Sequence, residues 1–225
     1  NLSLIYTIAK RCDELVPDGM GGLEPRYTIN AYIQTAEDAY NVLATLCSVF
    51  DSMIYWSPSN IAVVQDAPED PAAIVTPANT IDGIMTYEGV PLKARHSVAV
   101  VWWNNPLEAY KRVPMVVEDP DLIRRYGWRP VDINLIGCTS PGQAMRKGKW
   151  VLDTEKTGTQ TCTYRASLDQ FLLSNGRVIR AADPTKQVIR AGGRVKSIGG
   201  NVVTLDAPFG FVAGLDYNFN VVLGD

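Results

Sequence analysis

A chain with one histidine has few places where catalysis could begin. His96 is that imidazole, so any His-dependent nucleophile triad or proton relay must be built around it. Its neighbours Lys93 and Arg95 are basic and no Gly-x-Ser-x-Gly elbow accompanies it, which points to a structural or interface role. Two adjacent carboxylate pairs, Glu69-Asp70 and Glu118-Asp119, are the residue type that cleaves glycosidic bonds by acid–base or nucleophilic catalysis. Each has a local explanation. The first lies between Pro68 and Pro71 in a polar linker; the second caps a helix and sets negative charge at the positive end of its dipole.

The segment from Gly142 to Lys149 ends in Gly148-Lys149 and superficially resembles a phosphate loop. It fails because five residues separate the glycines instead of four, and Trp150 stands where Ser or Thr would ligate magnesium. Read as a helix, it presents Arg146, Lys147 and Lys149 on a solvated face. Cys12, Cys47, Cys138 and Cys162 stand far apart with no Cys-x-x-Cys, so neither a zinc site nor a disulfide scaffold is expected, only reduced and mostly buried thiols. The residues therefore nominate no catalytic, cofactor-binding or metal-ligating site. Trp102-Trp103 is the informative aromatic pair: neighbours on a strand face opposite ways, so either one ring enters the core and the other faces outward, which favours an interface, or both pack within a sheet covered on its two faces.

The surrounding composition is that of a folded protein. Of the 225 residues, 46% are hydrophobic and 20% charged, which excludes general disorder. A net charge of −3 argues against a protein whose main task is gripping nucleic acid. The longest apolar run covers residues 98–103, far short of the roughly 18–20 that a membrane helix needs, so a soluble chain is expected. The chain opens at Asn1 with no visible signal peptide, and reads as a slice of something longer.

Three modules are expected, an α+β module over 1–70, a second over 71–158 and a small all-β barrel or sandwich over 159–225. In the first, apolar spacing predicts a helix from Ile5 to Val16, a strand over 26–34, a helix capped by Thr35, and a hairpin over 52–65. In the second, strands are expected over 73–75, 81–87, 96–103, 112–117 and 131–137. Two helices open on Asp119-Pro120 and Ser140-Pro141, the latter with a capping box closed by Gln143. The third should hold strands over 159–168, 177–181, 193–198, 202–205 and 217–223.

Specific words of the sequence add to this. Val16-Pro17-Asp18-Gly19, Gly21-Gly22, Glu24-Pro25-Arg26 and Asn30-Ala31-Tyr32-Ile33-Gln34 resemble, in order, the central region of the tip attachment (host specificity) protein J family of lambda-like phages. Lys93-Ala94-Arg95-His96, Glu118-Asp119, Arg125-Tyr126-Gly127, Gly137-Cys138-Thr139-Ser140, Gly142-Gln143-Ala144 and Gly192-Gly193-Arg194-Val195 continue the match from end to end. The stretch from Ser174 to Val178 departs from it, since the family tends to carry Pro-Gly-Asp there.

The resemblance implies a non-enzymatic virion component, present in the host cytoplasm during assembly and then at the tail tip. Such proteins look like the baseplate hubs of contractile tails. Three copies ring the distal end of the tail tube, bind the tube and other tip proteins, and let DNA pass without specific binding. Receptor contact is expected from domains outside this chain, and no cofactor is implied. An acidic or neutral lumen, with Arg146, Lys147 and Lys149 directed elsewhere, would suit sliding DNA. The reading from a different class is a tail-tip glycan hydrolase or glycan-binding module using Glu69 and Glu118.

Overall fold

A computed structural model describes residues 2–34, 38–57, 60–171, 173–186, 195–200, 202–206, 210 and 214. The chain is α+β and divides into two compact units, Asn1–Ala181 and Ala182–Asp225.

The first unit is organised on a three-stranded sheet in the order β8-β7-β9, formed by β7 (Val98–Asn105), β8 (Lys111–Glu118) and β9 (Pro130–Asn134). β7 and β8 form an antiparallel hairpin, and α3 (Pro120–Tyr126) carries the chain across to β9, which runs parallel to β7. Strand periodicity of two aligns Ala99, Val101 and Trp103 on one face, opposite Val117, Met115 and Val113. Helix α4 (Pro141–Thr157) lies on that face. Leu152 and Ala144 join Val49, Leu122, Leu135 and Cys138 in the core. Gly148 permits the close approach, since a Cβ there would stand 2.6 Å from Val117 Cγ2. Trp103 is buried and Trp102 faces the other way, with the Arg112 guanidinium 4.9 Å over its ring and its indole N–H donated to Asp132 at 3.0 Å. One ring in and one out is what adjacent strand positions require.

Both expected helix starts of this region are present. Asp119 Oδ1 accepts from the N–H groups of Asp121 and Leu122, and Ser140 Oγ accepts from Gln143 N. Among the described residues the remaining strands pair in twos. β3 (Ser52–Ser57) and β4 (Asn60–Gln65) make the expected hairpin, whose turn residues Pro58 and Ser59 lie outside the described residues. β6 (Thr80–Gly89) pairs antiparallel with β10 (Gln160–Ala166), and β5 (Ala73–Val75) pairs parallel with β11 (Ile179–Ala181). β10 and β11, past residue 158, thus pair with strands from before it.

Three local expectations are corrected. Helix α1 (Leu2–Asp13) stops short of Val16, because β1 (Leu15–Pro17) is recruited into a ribbon with β2 (Leu23–Pro25) around the Met20-Gly21-Gly22 turn. Residues 26–34 form no strand. Their backbone groups are satisfied singly, as where Asn30 N donates to Gly137 O at 2.8 Å, and no ladder partner is alongside. Helix α2 (Ala39–Val49) is capped by Asp38, whose Oδ1 accepts from Tyr40 N and Asn41 N; Thr35 lies outside the described residues.

In the second unit, β12 (Val195–Gly199) and β13 (Val202–Leu205) form a hairpin through Gly200, at φ 60. Asp183 Oδ1 there accepts from both N and Oγ1 of Thr185 at 2.8 Å. Among the described residues no closed barrel forms, and the strand expected over 217–223 lies outside them. No helix among them is long and apolar enough to cross a membrane.

Candidate functional site

The polar structure of the first unit concentrates along α4, where helical spacing aims Gln143, Arg146, Lys147 and Trp150 at four different neighbours. At the N-terminal end, Ser140 Oγ donates to Glu24 of β2, and Arg146 Nη1 donates to the other oxygen of the same carboxylate at 2.7 Å. Arg146 also donates to the carbonyls of Pro17 at 3.1 Å and Arg26 at 3.0 Å, so one guanidinium pins the whole β1–β2 ribbon to α4. The ribbon presses so close that a Cβ on Gly142 would stand 2.5 Å from Asp18 O. Gln143 does not turn back to complete a capping box. Its Oε1 instead accepts from the N–H and the hydroxyl of Thr28, both at 3.1 Å.

Next to Arg146 in the chain, Lys147 is ion-paired with Asp51, their side chains 10% and 4% exposed. Lys147 Nζ also donates to Ser48 O at 2.7 Å, and the Tyr27 hydroxyl donates to the other Asp51 oxygen at 2.7 Å. Burial, then the bond to Asp51, pushes the Tyr27 phenol well above its usual range, so it stays a donor. Arg146 and Lys147 are therefore structural pivots rather than members of a solvated face; Lys149 alone of the three is exposed.

Beside this pair opens a cleft of about 490 Å³, walled by Met53 and Val64 of the β3–β4 hairpin, by Val178 and by Trp150. Asp66 and Glu69 also line it. The Trp150 indole N–H donates to Asp66 Oδ2 at 3.0 Å, while Lys147 Nζ sits 4.5 Å from its ring centre. Glu69 is ion-paired with Arg177. Sequence reasoning singled out Glu69 but not Asp66, Lys147 or Trp150 as its cleft neighbours; these come together from segments some eighty residues apart, a distance no local pattern reports.

The other sequence candidates are elsewhere. His96 Nδ1 lies 2.9 Å from Glu155 Oε1, and buried Arg95 donates to Gly158 O at 3.1 Å, so the two residues clamp the C-terminal end of α4 to the lead-in of β7. Glu118 is exposed at the end of β8, and Asp119 is engaged as the α3 cap and by Lys156 at 3.2 Å. Gly142 to Lys149 is helical, so the backbone amides past the first turn are spent within α4. All four cysteines are free thiols, with Cys47 and Cys138 buried; burial pushes the Cys138 thiol up to about 11. Among the described residues no group of three or more His, Cys, Asp and Glu is arranged around a metal position.

The chemistry invested in this unit thus goes into holding elements together, and comparison with known proteins gives that class its family. Residues 38–198 match the family described as putative phage tail protein, and the chain belongs to it. It is 33% identical over 199 residues to Tip attachment protein J of Escherichia phage SECphi27, and 34% identical over 186 residues to Tip attachment protein J of Escherichia phage SECphi4. Those alignments take in 87% and 81% of this chain but only 17% and 16% of the relatives, so the chain spans about a sixth of their length. A tail protein from Neisseria meningitidis MC58 superposes at a TM-score of 0.47 with 16% identity, covering 68% of this chain and 47% of that one.

Proposed function

We propose that this chain is a structural region of a phage tail tip, and that in the whole protein three copies form a hub ring at the distal end of the tail tube. The ring supports host attachment and leaves the channel open to DNA, without catalysis by this region. The observation that carries the reading is the amount of bulky apolar surface left uncovered. Leu107 is 94% exposed and Tyr32 85%, and Tyr6, Leu15, Leu23 and Trp56 are each more than half exposed. Exposed side chains of this kind are available for neighbouring subunits to cover. Ribbons that are two-stranded among the described residues, such as β6–β10, support it further, because isolated ribbons are marginal in water. Family membership and the similarity to two Tip attachment protein J sequences are in keeping with it.

The test is a solution mass measurement on this chain and on the longer protein that contains it. A trimeric parent is expected, whatever the state of the isolated region; a monomeric parent overturns the reading. Incubation with bacterial envelope material should release no reducing sugar. Release that is lost in Glu69→Gln or Glu118→Gln would replace the scaffold reading with a glycan hydrolase.

A further inference from the structure

We propose that the cleft beside α4 receives an arginine or lysine side chain, presented with an apolar neighbour by another protein of the tail tip; the assignment of that partner to the tail tip rests on the function proposed above. The walls come from Met53, Val64, Val178 and the Trp150 ring, and the volume of about 490 Å³ falls within the range of side-chain and small-ligand pockets. The charges decide what can enter. Asp51 is neutralised by Lys147 and Glu69 by Arg177. Asp66 accepts the Trp150 indole N–H at 3.0 Å but has no cationic partner among the described residues. Asp66 is exposed, so an anionic occupant would set like charge beside it, and a purely apolar one would leave its charge unanswered. A long cationic side chain does neither, laying its methylene stem along the apolar walls while its head reaches Asp66.

The cleft is also held in shape before anything binds. Asp66 and Lys147 fix the indole from its edge and its face. Another part of the lining is set by Gly176, which at φ 77 approaches so closely that a Cβ would stand 2.6 Å from Val64 Cγ1. A preformed cleft loses little freedom on binding, which favours recognition of a single side chain.

The test is a titration of isotope-labelled chain with N-acetyl-Leu-Arg-Leu-amide, following the Trp150 indole N–H and Met53 methyl resonances. Saturable shifts at millimolar peptide are expected, weakened at least fivefold by Asp66→Asn and retained in Asp66→Glu. Resonances of the β7–β8 hairpin, unchanged in both variants, report that the fold is intact. Equal binding of N-acetyl-Leu-Glu-Leu-amide, shifts with chitotriose in place of the peptide, indifference to Asp66→Asn, or no shift at all would each overturn the assignment. Because the titration reads the cleft and the mass measurement reads assembly, a silent cleft in a protein whose parent is trimeric overturns only the cleft. A responsive cleft with a monomeric parent overturns only the trimeric-hub reading.

Discussion

Lys147 of α4 and Asp51, two residues past α2, form an ion pair whose side chains are 10% and 4% exposed, and Asp51 holds its place in left-handed backbone at φ 53. This one contact joins α2, α4 and, through the Tyr27 hydroxyl, the segment after β2. Removing one member of a buried pair leaves the other charged without compensation, at a cost of roughly 3–5 kcal/mol. Lys147→Met is therefore expected to lower unfolding free energy by about 3 kcal/mol in urea titrations. Adding Asp51→Asn should cost less than the sum of the two single changes, because the stranded charge is then gone.

Gly148 reverses an ordinary rule. Alanine in place of glycine inside a helix normally stabilises by about 1 kcal/mol. Here the new methyl would stand 2.6 Å from Val117 Cγ2 and 3.3 Å from Val101 Cγ2, both in the core against which α4 packs. Overpacking of this kind costs about 1–3 kcal/mol. Gly148→Ala should therefore lower the thermal midpoint, whereas a helix governed by propensity alone would gain; calorimetry decides.

Asp18 carries a pH dependence with a defined sign. Its carboxylate accepts from Met20 N at 2.7 Å and Gly22 N at 2.9 Å, and these bonds hold its pKa below the usual carboxylate value. The folded chain thus binds this proton less readily than the unfolded chain. The contribution is complete above the ordinary value of about 3.9 and fades as pH falls through the depressed one. Asp18→Ala should be less stable than the parent chain at pH 7, with the gap narrowing below about pH 3.9.

Thiol reactivity should follow burial. Burial raises the pKa of Cys47 and Cys138, the latter to about 11, whereas Cys162 is only half-buried on β10. Since the thiolate is the nucleophile, an aromatic disulfide reagent at pH 8 is expected to modify Cys162 first and Cys138 last in the native chain. In denaturant all four should react at one rate, as mass spectrometry of quenched samples would register.

How much of this was legible beforehand depends on how far each determinant reaches along the chain. Asp119-Pro120 and Ser140-Pro141 started helices as expected because a cap is satisfied by N–H groups two or three residues away. The β3–β4 hairpin followed from alternation and a short connection, whereas β7 and β8 were expected only as strands and their pairing came with the structure. Residues 26–34 looked like a strand by composition, but a strand needs a ladder partner, and Thr28 and Asn30 bond instead to Gln143 and to Gly137.

By itself, then, the sequence determined the α+β class, the Asp119 and Ser140 caps, the β3–β4 hairpin, the opposed faces of Trp102 and Trp103, and a family resemblance written in ordered short motifs. Only tertiary structure decided that Gln143 serves Thr28 rather than its own helix end, that Arg146 and Lys147 leave water for Glu24 and Asp51, and that Asp66 meets Trp150 across a cleft. The partners in those contacts lie 84 to 122 residues apart. A polar side chain's own type fixes how many bonds it needs, but which groups are near enough to supply them is settled when distant segments pack.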